Sequence, residues 1–70
     1  MVTMQAVESS NILEVGYDED AEVLYITFKS GDTYTYDLVP IHVYKEMLSA
    51  ESVGKYFHKN VRAQYEFHKV

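Results

Sequence analysis

The chain contains no cysteine, so no disulfide can staple a core of this size and no thiolate can bind metal or act as a nucleophile. A thiol-free sequence suits a reducing compartment. One proline and three glycines leave no linker and no low-complexity tract to divide the chain. No segment approaches the ~20 apolar residues of a membrane span. The first residues, Met1-Val2-Thr3-Met4-Gln5-Ala6-Val7-Glu8, lack the basic start and apolar run of a secretory signal. The expected location is therefore the cytoplasm. Cations are scarce: six Lys and Arg stand against eleven Asp and Glu, a net charge of −5. That balance disfavours generic nucleic-acid binding. Phosphate-loop, dinucleotide-glycine and metalloprotease motifs are all missing.

Seventy residues make one domain. A chain this short buries only about 60% of its unfolded surface, so association or heavy use of aromatic side chains must help. Seven Tyr and three Phe make the second route visible. Charge is also unevenly spread. Residues 1–40 carry one Lys against eight acidic residues, whereas residues 41–70 carry four Lys and one Arg against three Glu. An acidic sheet half and a mildly basic helical half follow.

Residues 1–8 are expected to be flexible. Residues 11–17 read as a strand of ambiguous facing: Leu13, Val15 and Tyr17 alternate, Ile12 belongs to the other side, and Gly16 is the expected bulge. Residues 22–28 form the clearest strand, dense in β-branched and aromatic residues. Gly31 can take the positive φ of a hairpin turn. Residues 33–38 form the third strand, with Tyr34, Tyr36 and Leu38 on one face. Pro40 supplies a helix start, and Val43, Tyr44, Met47 and Leu48 make that helix's apolar stripe. Ser52 reads as the N-cap of a second helix with Val53, Tyr56, Phe57 and Val61 buried. Gly54 is a poor helix former and points to a close packing contact. Residues 65–70 read as a short aromatic tail. The predicted fold is an α+β domain: a three-stranded antiparallel meander followed by two helices packed on one face. The covered face carries Leu24, Ile26, Phe28, Tyr34, Tyr36 and Leu38. The uncovered face carries Val23, Tyr25, Thr33 and Thr35.

These residues resemble the KTSC domain, a C-terminal extension of some lysyl-tRNA synthetases that also occurs as small stand-alone bacterial and phage proteins. The matching positions are Ser9-Ser10-Asn11-Ile12, Gly16-Tyr17-Asp18, residues 24–28, Gly31, Tyr34-Thr35-Tyr36, Val39-Pro40, Val43-Tyr44, residues 50–57 and Val61-Arg62. The similarity covers roughly residues 8–67. It implies that Tyr34-Thr35-Tyr36 is a family hallmark, that no activity is established for the family, and that RNA binding is a suggestion resting on attachment to a synthetase.

Each candidate site has a plainer alternative. Tyr34 and Tyr36 can stack nucleobases if exposed, but their facing assigns them to the core with the hydroxyls at its edge. Lys55, His58, Lys59 and Arg62 fall at i, i+3, i+4, i+7, one face of the second helix, where they can grip phosphates or form an ordinary solvated face. Lys69 can extend that stripe. Ser9, Ser10 and Asn11 are expected to bond the local backbone. Asp18, Asp20 and Glu22 mimic the opening of a calcium loop, but Val23 and Lys29 stand where the loop needs glycine and glutamate. His42 and Glu46 form an i, i+4 pair, and His58 and His68 lack zinc-site spacing.

No metal or cofactor is implied, and no acid, base and nucleophile converge, so an enzyme ranks last. The leading reading is a small non-enzymatic binding module for RNA or another nucleic acid, working through the second helix. The alternatives are a protein-interaction or self-associating module using Val23, Tyr25, Thr33 and Thr35, with the third strand at the sheet's edge, and a binder of a small nucleotide-like ligand. A membrane partner is not expected.

Overall fold

A computed structural model describes residues 2–70. One antiparallel sheet holds five strands in sequential order: β1 (Gln5–Ala6), β2 (Ile12–Asp18), β3 (Val23–Phe28), β4 (Thr33–Tyr36) and β5 (Phe67–Lys69). Helices α1 (Ile41–Ser49) and α2 (Val53–Asn60) lie in sequence between β4 and β5. The α+β class and the central meander agree with the sequence reading, but the strand count was too low. Gln5 and Ala6, expected to be flexible, pair with Val15 and Glu14. Residues 67–69, read as a tail, pair with Tyr36, Thr35 and Tyr34. The third predicted strand is therefore interior, and β1 and β5 form the edges.

The core is made on one side of the sheet. Ile12, Val15, Leu24, Ile26 and Tyr36 face Val39, Val43, Met47, Val53, Phe57 and Val61, all buried. Leu24, Ile26 and Tyr36 fall as strand alternation requires. Leu38 does not: it is 73% exposed. β4 ends at Tyr36, and Leu38 takes φ 55°, which breaks the alternation and turns Val39 inward. Val39 N–H then donates to Glu22 O at 2.9 Å. The bulge in β2 lies at Leu13, between the Ile12–Phe28 and Glu14–Thr27 pairs, not at Gly16. It allows Ile12 and Val15 both to be buried while Leu13 is half exposed.

Pro40 caps α1 in extended geometry, and its carbonyl accepts from Val43 N–H at 3.0 Å. Ser52 Oγ caps α2, accepting from Lys55 N–H at 3.2 Å. Gly31, at φ 104°, makes the β3–β4 turn. Asp18 Oδ1 accepts from the backbone of Asp20 and Ala21, so the acidic run is a side-chain-bonded turn. Tyr17 stacks on Tyr44 with ring centres 5.3 Å apart, and its hydroxyl donates to Val39 O. Glu46 accepts from the Tyr56 hydroxyl at 2.8 Å, linking the two helices.

Gly16 is needed for space. A methyl group there would come within 2.6 Å of Met4 Sδ, 2.7 Å of Val2 Cγ1 and 3.0 Å of Thr3 O. The N-terminal segment therefore lies across the outer face of β2. Gly16→Ala is expected to lower stability by about 1 kcal/mol and to speed amide exchange at Gln5 and Ala6. Unchanged exchange at those two amides would contradict this packing.

Desolvation, then the hydrogen bond and charge of Glu46, push the Tyr56 hydroxyl from its ordinary 10.0 up to about 12. The folded state thus holds this proton more tightly than the unfolded chain does. The link's contribution is complete below pH 10 and disappears as the pH rises through about 12. In thermal denaturation, wild type should lose its advantage over Tyr56→Phe across that window, and the two melting temperatures should converge above it.

Candidate nucleotide-binding cleft

Beside α2 the sheet opens into a cleft of about 730 Å³ lined by Phe28, Tyr34, Tyr36, His58, Arg62, Ala63 and Phe67. Strand register builds the aromatic wall. Tyr34 pairs with Ile26 and Lys69, and Tyr36 with Leu24 and Phe67. Phe67 lies 6.0 Å from both Tyr34 and Tyr36, ring centre to ring centre. Phe28 meets Tyr34 edge-on at 5.8 Å. Tyr36 is buried, Phe28 and Tyr34 are half-buried, and Phe67 is 54% exposed. The two tyrosines differ in depth: Tyr36 is part of the core and Tyr34 is half-buried, and both line the cleft. Desolvation, followed by the neighbouring Tyr34, raises the Tyr36 hydroxyl, whereas the nearby Arg62 charge opposes the rise.

The opposite wall carries the cations. Phe57 anchors it, fully buried and edge-on to Phe28 at 5.7 Å and to Tyr36 at 5.4 Å. His58 follows it on α2. Arg62 is not on the helix, which ends at Asn60. The chain widens there, with Val61 N–H closing an ordinary α turn and Arg62 N–H a wider i→i−5 turn, both donating to Phe57 O at 2.9 Å. Arg62 Nη1 still comes within 3.5 Å of His58 Nδ1. Lys55 and Lys59 are exposed but do not line the cleft. Lys69 does not extend the stripe, because it lies on β5 with Nζ 3.4 Å from Asp32.

The turn before β2 orients the His58 ring. Ser9 Oγ accepts from Asn11 N–H at 3.4 Å and Ile12 N–H at 3.3 Å. With both lone pairs engaged, its hydroxyl donates to Asn11 Oδ1 at 3.2 Å. That orients the Asn11 amide with its NH₂ toward His58 Nε2 at 3.5 Å, which favours Nε2 as the acceptor of a neutral ring. In that tautomer the ring proton is on Nδ1, the nitrogen on the side of the Arg62 guanidinium. Gly54 lets this turn approach α2, since a methyl group there would lie 3.1 Å from Ser9 Oγ and 3.3 Å from Asn11 Oδ1. Sequence reading expected side-chain bonds from Ser9 and Asn11 but did not connect them to His58.

On the opposite face, Val23, Tyr25, Thr33 and Thr35 are all half-buried. Tyr25 and Thr33 line a shallow depression of about 440 Å³ with Val2, Met4, Glu14, Asp18 and Thr27. Val23 and Thr35 lie outside its lining. The Thr27 and Thr33 hydroxyls bond each other at 2.8 Å, and His68 Nε2 lies 3.1 Å from Asp37. No cluster of three or more potential metal ligands occurs among the described residues. No helix among them is long and apolar enough to cross a membrane.

Comparison with known proteins agrees with this architecture. The KTSC domain pattern matches residues 8–65. The crystal structure of a KTSC domain protein from Yersinia pestis superposes with a TM-score of 0.94 at 35% identity, covering 100% of this chain and 99% of that one. A protein of Tsukamurella paurometabola is 40% identical over 62 residues, 89% of this chain and 92% of its own. A lysine–tRNA ligase of Trichormus variabilis is 35% identical over 63 residues, which is 90% of this chain but only 11% of the ligase. By domain pattern, relatives and fold together, the chain belongs to the KTSC domain family.

Proposed function

We propose that the chain is a small non-enzymatic binding module that takes an unpaired RNA base into the cleft between β4–β5 and α2. The observation that carries this reading is the pairing of an aromatic wall (Phe28, Tyr34, Phe67) with His58 and Arg62 across one groove. Aromatic faces stack bases of any sequence, and an adjacent cation holds the backbone. The net charge of −5 is not prohibitive. Asp18, Glu19, Asp20 and Glu22 cluster at the β2–β3 turn, and Phe28 sits at the other end of that hairpin. The matching segment in a lysine–tRNA ligase, an enzyme that acts on a tRNA, adds support. The absence of cysteine supports a cytoplasmic setting.

Fluorescence anisotropy with a labelled single-stranded oligoribonucleotide tests the proposal. Phe67→Ala, at a half-exposed position, should weaken binding about tenfold. Arg62→Gln should weaken it and lower the salt dependence by about one phosphate's worth of slope. Tyr25→Ala, on the opposite face, should leave binding unchanged. Retained affinity in Phe67→Ala, or sensitivity to Tyr25→Ala instead, would move the site to the outer face and end this reading.

A further inference from the structure

The two basic side chains of the cleft are placed to serve one phosphate rather than two. His58 Nδ1 and Arg62 Nη1 lie 3.5 Å apart, whereas successive phosphates along an extended strand are a whole nucleotide apart. The neighbouring lysines do not add a second phosphate site: Lys55 and Lys59 lie outside the lining, and Lys69 is engaged by Asp32. In the tautomer that the Ser9–Asn11 contacts favour, with the Asn11 amide 3.5 Å from His58 Nε2, the His58 Nδ1–H and the Arg62 guanidinium are both donors on the same side of the cleft. A guanidinium has no lone pair to offer the ring. An oxyanion beside the pair, within hydrogen-bond distance of each nitrogen, satisfies both.

The chemistry of that anion can be narrowed. A phosphodiester within a strand carries one charge and two free oxygens. A phosphomonoester carries about 1.5 to 2 charges at neutral pH and three strong acceptor oxygens. The planar Arg62 fork takes two of them, and His58 Nδ1–H takes the third. We infer that the cleft recognises a nucleotide bearing a phosphomonoester: its base rests on Phe67 and Tyr34, and its terminal phosphate bridges His58 and Arg62. The inference rests on the base-binding reading above and adds the end group. Asn11 is a positioning residue that acts through the His58 tautomer.

The test compares one short oligoribonucleotide with a 5′-hydroxyl, a 5′-phosphate or a 3′-phosphate, together with adenosine and its monophosphate. A terminal phosphate should tighten binding about tenfold or more. Arg62→Gln should abolish that gain, so that the variant binds phosphorylated and unphosphorylated ends with the same affinity. Asn11→Ala should reduce the gain, and ring-nitrogen NMR should show His58 passing from an Nδ1–H tautomer to a mixture. Competition by the free monophosphate identifies a mononucleotide as a sufficient ligand, and its failure beside a phosphate-dependent oligonucleotide identifies a strand end. Either result supports the monoester. Equal affinity for phosphorylated and unphosphorylated ends, lost in Phe67→Ala, overturns the end-group inference and leaves base stacking standing. A phosphate gain that survives Arg62→Gln also overturns it. Absence of binding to every probe removes both readings.

Discussion

Phe57 is the contact on which the remaining arrangement depends. Its ring is 1% exposed and meets Phe28 and Tyr36 edge-on, joining α2 to two strands at once. Edge-to-face pairs add to the area such a ring buries, and in a domain of this size one aromatic carries a large share of a marginal stability. The backbone carbonyl of the same residue ends the helix by accepting from both Val61 and Arg62. One residue therefore seals the core, supports two aromatic residues of the cleft and holds Arg62 near His58. Stability and the cationic wall cannot be varied independently at this position.

The three glycines divide labour in a related way. Gly31 permits a turn, while Gly16 and Gly54 make room for other segments. At Gly16 the N-terminal segment crosses the sheet's outer face, so that face is less open than a bare three-stranded sheet would be. At Gly54 the Ser9–Asn11 turn reaches α2, and through it His58. The residues 9–11 motif and the helix glycine are two halves of one contact, although they are far apart in sequence.

Much of this was legible in the sequence wherever a regular period or a local cap decided the outcome. Alternation placed Leu24, Ile26 and Tyr36 inside. Helical spacing placed Val43, Met47, Val53 and Phe57 inside. Ser52 capped the helix it preceded. Reading failed where a period was carried past the end of its element. Leu38 was assigned a strand's facing after the strand had ended, and Arg62 a helix's facing after the helix had ended. Arg62 still reached His58, because the wider i→i−5 turn on Phe57 O holds it one turn beyond that ring. Phe67 was missed for a different reason. β5 has three residues, all exposed, so no buried stripe announces it, and its partner lies beyond both helices. The alternation of Tyr65, Phe67 and Lys69 was the available signal, and it gains meaning only when Tyr34 and Tyr36 lack a neighbour on one side. The tautomer of His58 depended on a hydroxyl, an amide and a ring brought together by tertiary packing, which no spacing rule describes.

The sheet's strictly sequential order has a kinetic consequence. The β2–β3–β4 unit closes through short turns, so its pairings form locally and early in the search for the native state. The fifth strand can join only after both helices have condensed on the sheet, since they separate it from its partner. It is also the shorter-lived piece, with three residues, little buried area and a solvent-facing edge. Phe67 is therefore the cleft residue whose placement rests on the least buried strand pairing. The groove it completes depends on the C-terminal edge strand staying paired, and an occupant lying on that ring would stabilise the pairing by mass action.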